Sequence, residues 1–338
     1  MPARFVVFAE SKSALQKRRQ INEGGSGSEM IAWERYSLDD VLCEVALLVK
    51  PHFGKGQQAN YIPELSKVPG TQFGMAVRTT NGGEYVVGDA DTTFSVQSIS
   101  KVFALGLALN RIGDEVWCRV GKEPSGTPFN FLAQLEAEGG VPRNPFINAG
   151  ALVITDILLN SAKDPAVLVR DFAGFLADAT LFIDETMAAS EWSHAHKNRA
   201  IANLLRANET ITHEPDSVVL AYCRQCALTM SCRQLVRALL PLATAGYSAI
   251  AGETIFTENL TRRLNASLLT CGIYDSVGSF AYRVGLPAKS GVGGGIVAVV
   301  PGRATVAVWS PELDRFGTSV VGTAALEAFA KLTSCSVF

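Results

Sequence analysis

Ser98 and Lys101 stand three residues apart at the opening of the apolar run Phe94–Leu105. On a helix, positions three apart share a face, so the Ser98 hydroxyl can meet the Lys101 amine one turn on. A serine hydroxyl is a weak nucleophile until a base takes its proton, and a lysine becomes such a base when burial lowers its pKa. Phe94, Val96, Val102, Phe103 and Leu105 supply the apolar surroundings. A backbone N–H in the first turn of a helix lacks an intrahelical acceptor, so that of Ser98 can donate to a developing oxyanion. The tetrapeptide alone favours a plainer reading, a helix-capping serine followed by a surface lysine. Only its context can decide between the two.

A second element supplies part of that context. Lys289-Ser290-Gly291 stands before an apolar strand-like run, with Val292-Gly-Gly-Gly295 directly after it. A K-[ST]-G triplet at a strand edge is the partner expected with S-x-x-K in penicillin-interacting enzymes. The glycines let a substrate, or the Ser98 helix, approach the strand backbone closely. Taken singly, Lys289 reads as a surface charge and Gly291–Gly295 as a loop. Taken with Ser98 and Lys101, they point to acyl transfer on a serine.

These residues need a scaffold. A chain of 338 residues that is 48% hydrophobic and 18% charged can bury a large core. A net charge of -2 excludes the electrostatic footprint of a nucleic-acid binder. No apolar run approaches the ~18 residues of a membrane span, and the patch Phe5–Ala9 is too short for a signal peptide, so the expected setting is the cytoplasm. The seven cysteines have no framework spacing and are expected as free thiols. Cys223-Arg-Gln-Cys226 and His194-Ala-His196 are read as structural or surface residues, with no metal and no cofactor expected.

Residues 1–36 read as a peripheral, flexible extension containing the linker Glu23–Ser28. A helix is expected from Ser37 to about Leu48. Phe73–Thr79 and Glu84–Val87 read as a hairpin closed by Asn81-Gly82-Gly83. A Gly/Pro-rich loop spans Val120–Pro145. Helical patterns follow over Pro165–Ala177, His194–Arg206, Asp216–Leu228, Cys232–Ala245, Thr257–Thr270 and Ser276–Val284. Strand signal returns at Gly295–Val300 and Ala304–Trp309, and a helix over Gly317–Leu332 closes the chain. The expected fold is α+β. One antiparallel sheet is built from both chain ends and covered by terminal helices, with an all-helical lobe at about 148–284, in a single domain spanning 37–338.

Several blocks, in order, now carry a closer likeness. They are Tyr61-Ile-Pro, Phe94-Ser-Val-Gln-Ser-Ile-Ser-Lys101, Pro145-Phe-Ile-Asn148-Ala-Gly-Ala151, Glu191, Asn198-Arg-Ala-Ile-Ala, Tyr222 with Gln225-Cys226, Cys271-Gly-Ile-Tyr274-Asp275 and Pro287-Ala-Lys289-Ser-Gly-Val292-Gly-Gly-Gly. Together, from about Tyr61 to Leu326, they resemble the bacterial serine-dependent glutaminases. The resemblance implies a serine β-lactamase-like fold and hydrolysis of L-glutamine to L-glutamate and ammonia. It implies Ser98 as the nucleophile that forms a γ-glutamyl ester, Lys101 as its proton partner, and Tyr274 as a proton shuttle to the leaving ammonia. A tyrosine needs a nearby cation to ionise near neutral pH, and Lys101 is the candidate. The N–H groups of Ser98 and Val292 would form the oxyanion hole. Glu191 would meet the α-ammonium, and Asn148, Asn198, Tyr222 and Tyr61 would serve the α-carboxylate and side chain.

Outside that likeness, Glu191 reads as a residue ahead of a helix, Asn148 as an N-cap and Tyr222 as an amphipathic core tyrosine. The chain departs from the family pattern at Lys197, Ala221, Cys232 and Ala245–Ser248, none of them an expected site residue. The family also implies a homodimer or homotetramer, with no nucleic-acid or membrane partner. Two alternatives stay open at this point: a β-lactamase or peptidase of the same S-x-x-K type, and a non-catalytic S-x-x-K ligand sensor.

Overall fold

The computed structural model describes residues 37–126, 128 and 130–338. The expected N-terminal extension therefore lies outside the described residues. Helix α1 (Leu38–Leu48) starts where the Ser37 hydroxyl accepts from Asp39 N, with Asp39 and Asp40 in its first turn. The short α2 (Pro63–Ser66) precedes the hairpin of β1 (Gly74–Thr79) and β2 (Glu84–Gly88). The hairpin turn closes as expected, with Thr79 N donating to Gly83 O at 2.9 Å and Gly82 at φ +97°. Strand β3 (Phe94–Ser95) leads through a 3₁₀ turn, Gln97–Ile99, into α3 (Ser100–Ile112).

The stretch expected as a loop over 120–145 contains a short helix, α4 (Leu132–Ala137). Then come α5 (Asn148–Leu159), α6 (Pro165–Ala177), β4 (Phe182–Ile183), α7 (Glu185–His194), α8 (His196–Ala207) and α9 (Pro215–Cys226). Strand β5 (Leu228–Met230), α10 (Cys232–Leu239), β6 (Tyr247–Ser248), β7 (Glu253–Thr254), α11 (Glu258–Cys271) and α12 (Val277–Arg283) follow. The chain ends with β8 (Ala288–Ser290), β9 (Gly295–Val300), β10 (Ala304–Trp309) and α13 (Val320–Thr333).

The main sheet runs in the order β2-β1-β10-β9-β8, antiparallel throughout. Gly74 pairs with Trp309 and Thr79 with Ala304, so the two chain ends meet in the middle of the sheet, as the sequence implied. Side chains alternate between two cores. Met75, Val77, Ile296, Ala298, Val306 and Val308 face α1 and α13, whereas Ala76, Val297, Val299, Ala307 and Trp309 join the core of α3, α5, α6, α9 and α10. A sheet covered on both faces has no polar side. That is why β9 and β10 read in sequence as continuous apolar runs.

The middle of the chain is less uniformly helical than expected. β3, β5 and β4 form a second small antiparallel sheet, and β6 pairs with β7. Strands of two or three residues have no periodicity to read. The helical pattern at His194–Arg206 is also only half of what is there. A separate helix, α7, precedes it, capped by the Asp184 carboxylate accepting from Met187 N, and the chain breaks at Ala195.

Candidate active site

Ser98 is delivered by a pinned strand and a strained turn. β3 pairs with β5, and Val96 N donates to Leu228 O at 2.8 Å. Gln97 then takes φ +50°, Ser98 follows in the 3₁₀ turn, and Lys101 lies in the first turn of α3. Ser98 thus stands just ahead of the α-helix rather than within it. β8 and the glycines after it press on this turn. A Cβ at Gly291 would collide with Val96 O and lie 3.4 Å from Ser98 N, and one at Gly293 would collide with Ser95 O. A Cβ at Gly295 would meet the Phe94 ring at 2.6 Å. Residues 291–294 form a turn closed by Gly294 N donating to Gly291 O at 3.0 Å, and a side chain at Gly291, Gly293 or Gly295 would block this approach. Val292 is buried beside them, in a cluster with Ile62, Leu65, Met187 and Ala188.

The Lys101 amine donates to Phe146 O at 3.0 Å and to Asn148 Oδ1 at 2.8 Å. Asn148 is the first residue of α5, not its cap; the cap is Ile147. Its amide is a junction: Oδ1 also accepts from the Tyr222 hydroxyl at 3.2 Å, and Nδ2 donates to Asn198 Oδ1 at 2.9 Å. Tyr274 sits at φ +51° in a 3₁₀ turn after α11, with its buried hydroxyl near that of Ser98. The Lys101 amine lies 5.6 Å from the Tyr274 ring centroid. Glu191 lies within α7, not ahead of a helix, and is buried. Tyr61 is 50% exposed at the rim, within electrostatic reach of Glu191 and Tyr274. The structure therefore brings Ser98, Lys101, Asn148, Glu191, Asn198, Tyr222, Tyr274 and Val292 into one buried region, with Tyr61 at its edge.

Four further residues belong to this region. Lys289 is 0% exposed, and its amine stacks 3.9 Å from the Tyr274 ring centroid while donating to Ser290 O at 2.7 Å. The surface-charge reading of Lys289 is therefore wrong; the K-S-G triplet was its signal. Asn144 shapes the turn that presents Phe146 O to Lys101, its Oδ1 accepting from Phe146 N and Ile147 N. Its signal is the Asn-Pro step before α5. Cys226 is buried on α9 one turn after Tyr222, and its thiol acts on Glu191 to favour the ionised carboxylate. Gln97 Nε2 donates to Glu191 Oε2 at 3.4 Å. Nothing local in the sequence marks these last two.

Burial dominates the electrostatics. It pushes the Lys101 amine down to about 8 and Lys289 well below its ordinary value, the second amine being disfavoured further by the first. It pushes Glu191 up to about 7, although donation from Gln97 and Cys226 and the Lys101 charge act the other way. Burial also raises the Tyr274 phenol, although the Ser98 hydroxyl beside it acts the other way. A neutral Tyr274 phenol and a neutral Lys289 are thus the resting forms that this environment favours, while Lys101 is brought close to the neutral range. The two lysines beside Tyr274 do not make it a standing phenolate. An open groove of about 480 Å³, lined by Asp114, Trp117, Lys122, Arg263 and Thr270 among others, shares no residue with this region and holds no comparable nucleophile and base.

Residues 56–338 match the family model described as Glutaminase. The chain belongs to the glutaminase family. A glutaminase from Caulobacter vibrioides is 74% identical over 301 residues, which cover 89% of this chain and 98% of that one. A solved structure described as probable glutaminase ybaS has 34% identity and a TM-score of 0.84, covering 90% of this chain and 99% of its own. The glutaminase YbgJ of Bacillus subtilis, solved as a covalent complex with 5-oxo-L-norleucine, has 32% identity and a TM-score of 0.81, covering 89% and 100%. The fold is the serine β-lactamase-like one, and the chain is a glutamine amidohydrolase, converting L-glutamine to L-glutamate and ammonia. None of these likenesses supports a β-lactamase, a peptidase or a ligand sensor. Among the described residues, no helix is long and apolar enough to cross a membrane.

Proposed function

We propose that this glutaminase works through an acyl-enzyme on Ser98, with Lys101 as the base. The observation that carries the reading is the bonding of the Lys101 amine. A neutral –NH₂ has two N–H donors and one lone pair. Phe146 O and Asn148 Oδ1 take both donors, which leaves the lone pair for the proton of Ser98. Ser98 Oγ attacks the side-chain amide carbon as its proton moves to Lys101. The oxyanion accepts from the N–H groups of Ser98 and Val292. Tyr274, neutral and close to Ser98, passes a proton to the departing nitrogen and is reprotonated from the lysine side. Ammonia leaves, a γ-glutamyl ester remains, and water attacks it by the reverse proton path to release glutamate.

Glu191 receives the α-ammonium, and Asn148, Asn198, Tyr222 and Tyr61 hold the remainder of the substrate. Burial of Glu191 supports this role, since a carboxylate without a cationic partner gains most from a charged ligand. The same reading makes the chain a cytoplasmic homodimer or homotetramer. Light scattering that reports a monomer would remove the oligomer. For the chemistry, the enzyme is treated with 6-diazo-5-oxo-L-norleucine, the compound that reacts with YbgJ. Peptide mass spectrometry is expected to find the adduct on Ser98, and Ser98→Ala is expected to take up no label and release no ammonia. An adduct on another residue, or turnover by a folded Ser98→Ala, overturns the reading.

A further inference from the structure

Gln97 has an unusual backbone and an unusual side chain at once. Its φ of +50° is one that only glycine adopts without strain. Of the non-glycine residues that share such a φ among the described residues, Asp178 and Ser334 end helices, where a left-handed residue lets backbone N–H groups satisfy the last carbonyls. Gln97 precedes a helix, so that explanation does not apply. If the turn alone mattered, glycine would serve better. Instead the position carries a long polar side chain, buried and engaged through its amide nitrogen. Its Nε2 donates to Ser95 Oγ at 3.0 Å and to Glu191 Oε2 at 3.4 Å. Ser95 Oγ in turn donates to Cys226 O at 3.0 Å, so the amide is braced from both β3 and α9.

We infer that Gln97 is a positioning residue that ties the ammonium site to the nucleophile: its side chain orients the Glu191 carboxylate while its backbone turns the chain into Ser98. The inference rests on Glu191 receiving the α-ammonium. Glu191 reaches the site from α7, a helix of ten residues bounded by a break at Ala195. A carboxylate on such an element needs a fixed donor to hold one rotamer, and both N–H groups of the Gln97 amide are already assigned. Donation from Gln97 also favours the ionised carboxylate, which is the form an ammonium requires. One residue thereby sets the distance between the two ends of the substrate.

The test compares L-glutamine with 4-carbamoylbutanoate, the same molecule without the α-amino group, in wild type and Gln97→Met across the neutral pH range. Methionine keeps the size and backbone demands of glutamine and removes the donor. On glutamine, kcat/KM should fall roughly 10- to 100-fold, more through KM than kcat, as for a lost hydrogen bond to a charged group. Its acid limb should move to higher pH. The desamino substrate, which does not use Glu191, should be nearly unaffected, so that the preference for glutamine collapses. Proportional loss on both substrates, or loss on neither, overturns the inference and leaves Glu191 in place. A wild type with no preference for glutamine removes Glu191 from the ammonium site and the inference with it. If Gln97→Met fails to fold by circular dichroism, Gln97→Gly, which accepts the left-handed backbone, carries the same comparison.

Discussion

The enzyme buries ionisable groups in two places and treats them in opposite ways. On α5, Asp156 has no exposed side-chain surface and is bonded on every side: by Arg119 Nη2, by Thr212 N at 3.0 Å, by His213 N at 2.8 Å and by His213 Nδ1 at 2.8 Å. Those donors hold its carboxyl below the usual range although burial works against them. In the Ser98 region the bonded partners of Lys101 and Lys289 are carbonyl and amide oxygens, and Glu191 is bonded by the Gln97 amide with the Cys226 thiol acting on it. Their ionised forms are correspondingly disfavoured. The first arrangement ties the end of the 3₁₀ turn Gly113–Cys118, where Arg119 stands, to α5 and to the loop of Thr212 and His213. The second keeps proton acceptors and a carboxylate ready for a ligand that brings the missing charge. Burial is common to both, so the completeness of the pairing separates structural from chemical use.

The largest expected effect lies on the under-paired side. Lys101→Ala and Tyr274→Phe should each lower kcat by a factor on the order of 10²–10⁴, with little loss of stability, since neither removes a paired charge. The double variant should lose much less than the product of the two, because the groups act on one proton path. Stopped assays of ammonia release and denaturant melts check both halves. Fully multiplicative losses would separate the two residues. The paired side should respond in the opposite sense. Asp156→Asn leaves Arg119 without its buried anion and should cost about 3–5 kcal/mol of stability in urea melts, with kcat per folded molecule unchanged. The pH sign follows from the direction of its shift. A carboxyl depressed in the fold stabilises above its unfolded pKa of about 3.9, and this is lost as pH falls through the lower folded value. Acid destabilisation below about pH 4 should therefore be steeper in wild type than in Asp156→Asn.

The contrast also explains what could be read in the sequence. The sheet from both chain ends was legible because β9 and β10 are uninterrupted apolar runs and β1–β2 carries an Asn-Gly turn. Ser98, Lys101, Asn148, Tyr222 and Val292 were legible through motif and family likeness, and the structure gathers them. Glu191 was placed ahead of a helix because α7, ETMAASEWSH, is weakly amphipathic and shows little period. Gln97, Cys226 and Asn144 were missed for a different reason. The roles of Gln97 and Cys226 come from contacts across the fold, such as the 94-residue separation of Gln97 and Glu191, which no local pattern reports, whereas Asn144 carried a local signal in its Asn-Pro step. His213 and Arg119 escaped notice in the same way, each meeting Asp156 from a distant segment.

A middle-sized effect belongs to Glu191. Glu191→Gln should raise KM for glutamine roughly 10- to 100-fold and change kcat less, since the ammonium is held in ground and transition states alike. α-N-acetylglutamine, which lacks the positive charge, should be a poor substrate of the wild type. Equal turnover of the two would remove Glu191 from that role. Glu191 must be ionised and Lys101 neutral for the proposed chemistry, with values of about 7 and about 8. The wild-type kcat/KM should accordingly rise with pH through both, and in Glu191→Gln only the upper rise should remain.

The smallest effects test whether completeness of pairing is the controlling variable. Thr212→Val keeps the backbone donor to Asp156 and removes a hydroxyl that lies 3.3 Å from Oδ2. Asp156 retains Arg119 and both His213 contacts, so the loss should be about 0.5–1.5 kcal/mol in a urea melt, with no change in the pH profile of activity. Cys226→Ala removes a weaker donor, a thiol, but from a carboxylate that has few. Packing loss at this site should be small, because alanine replaces a small side chain. The acid limb of kcat/KM should nevertheless move to higher pH, since one of the groups favouring ionised Glu191 is gone. If Cys226→Ala leaves that limb in place while Thr212→Val shifts stability as expected, the thiol is packing alone, and Gln97 and the substrate ammonium must hold the Glu191 charge without it.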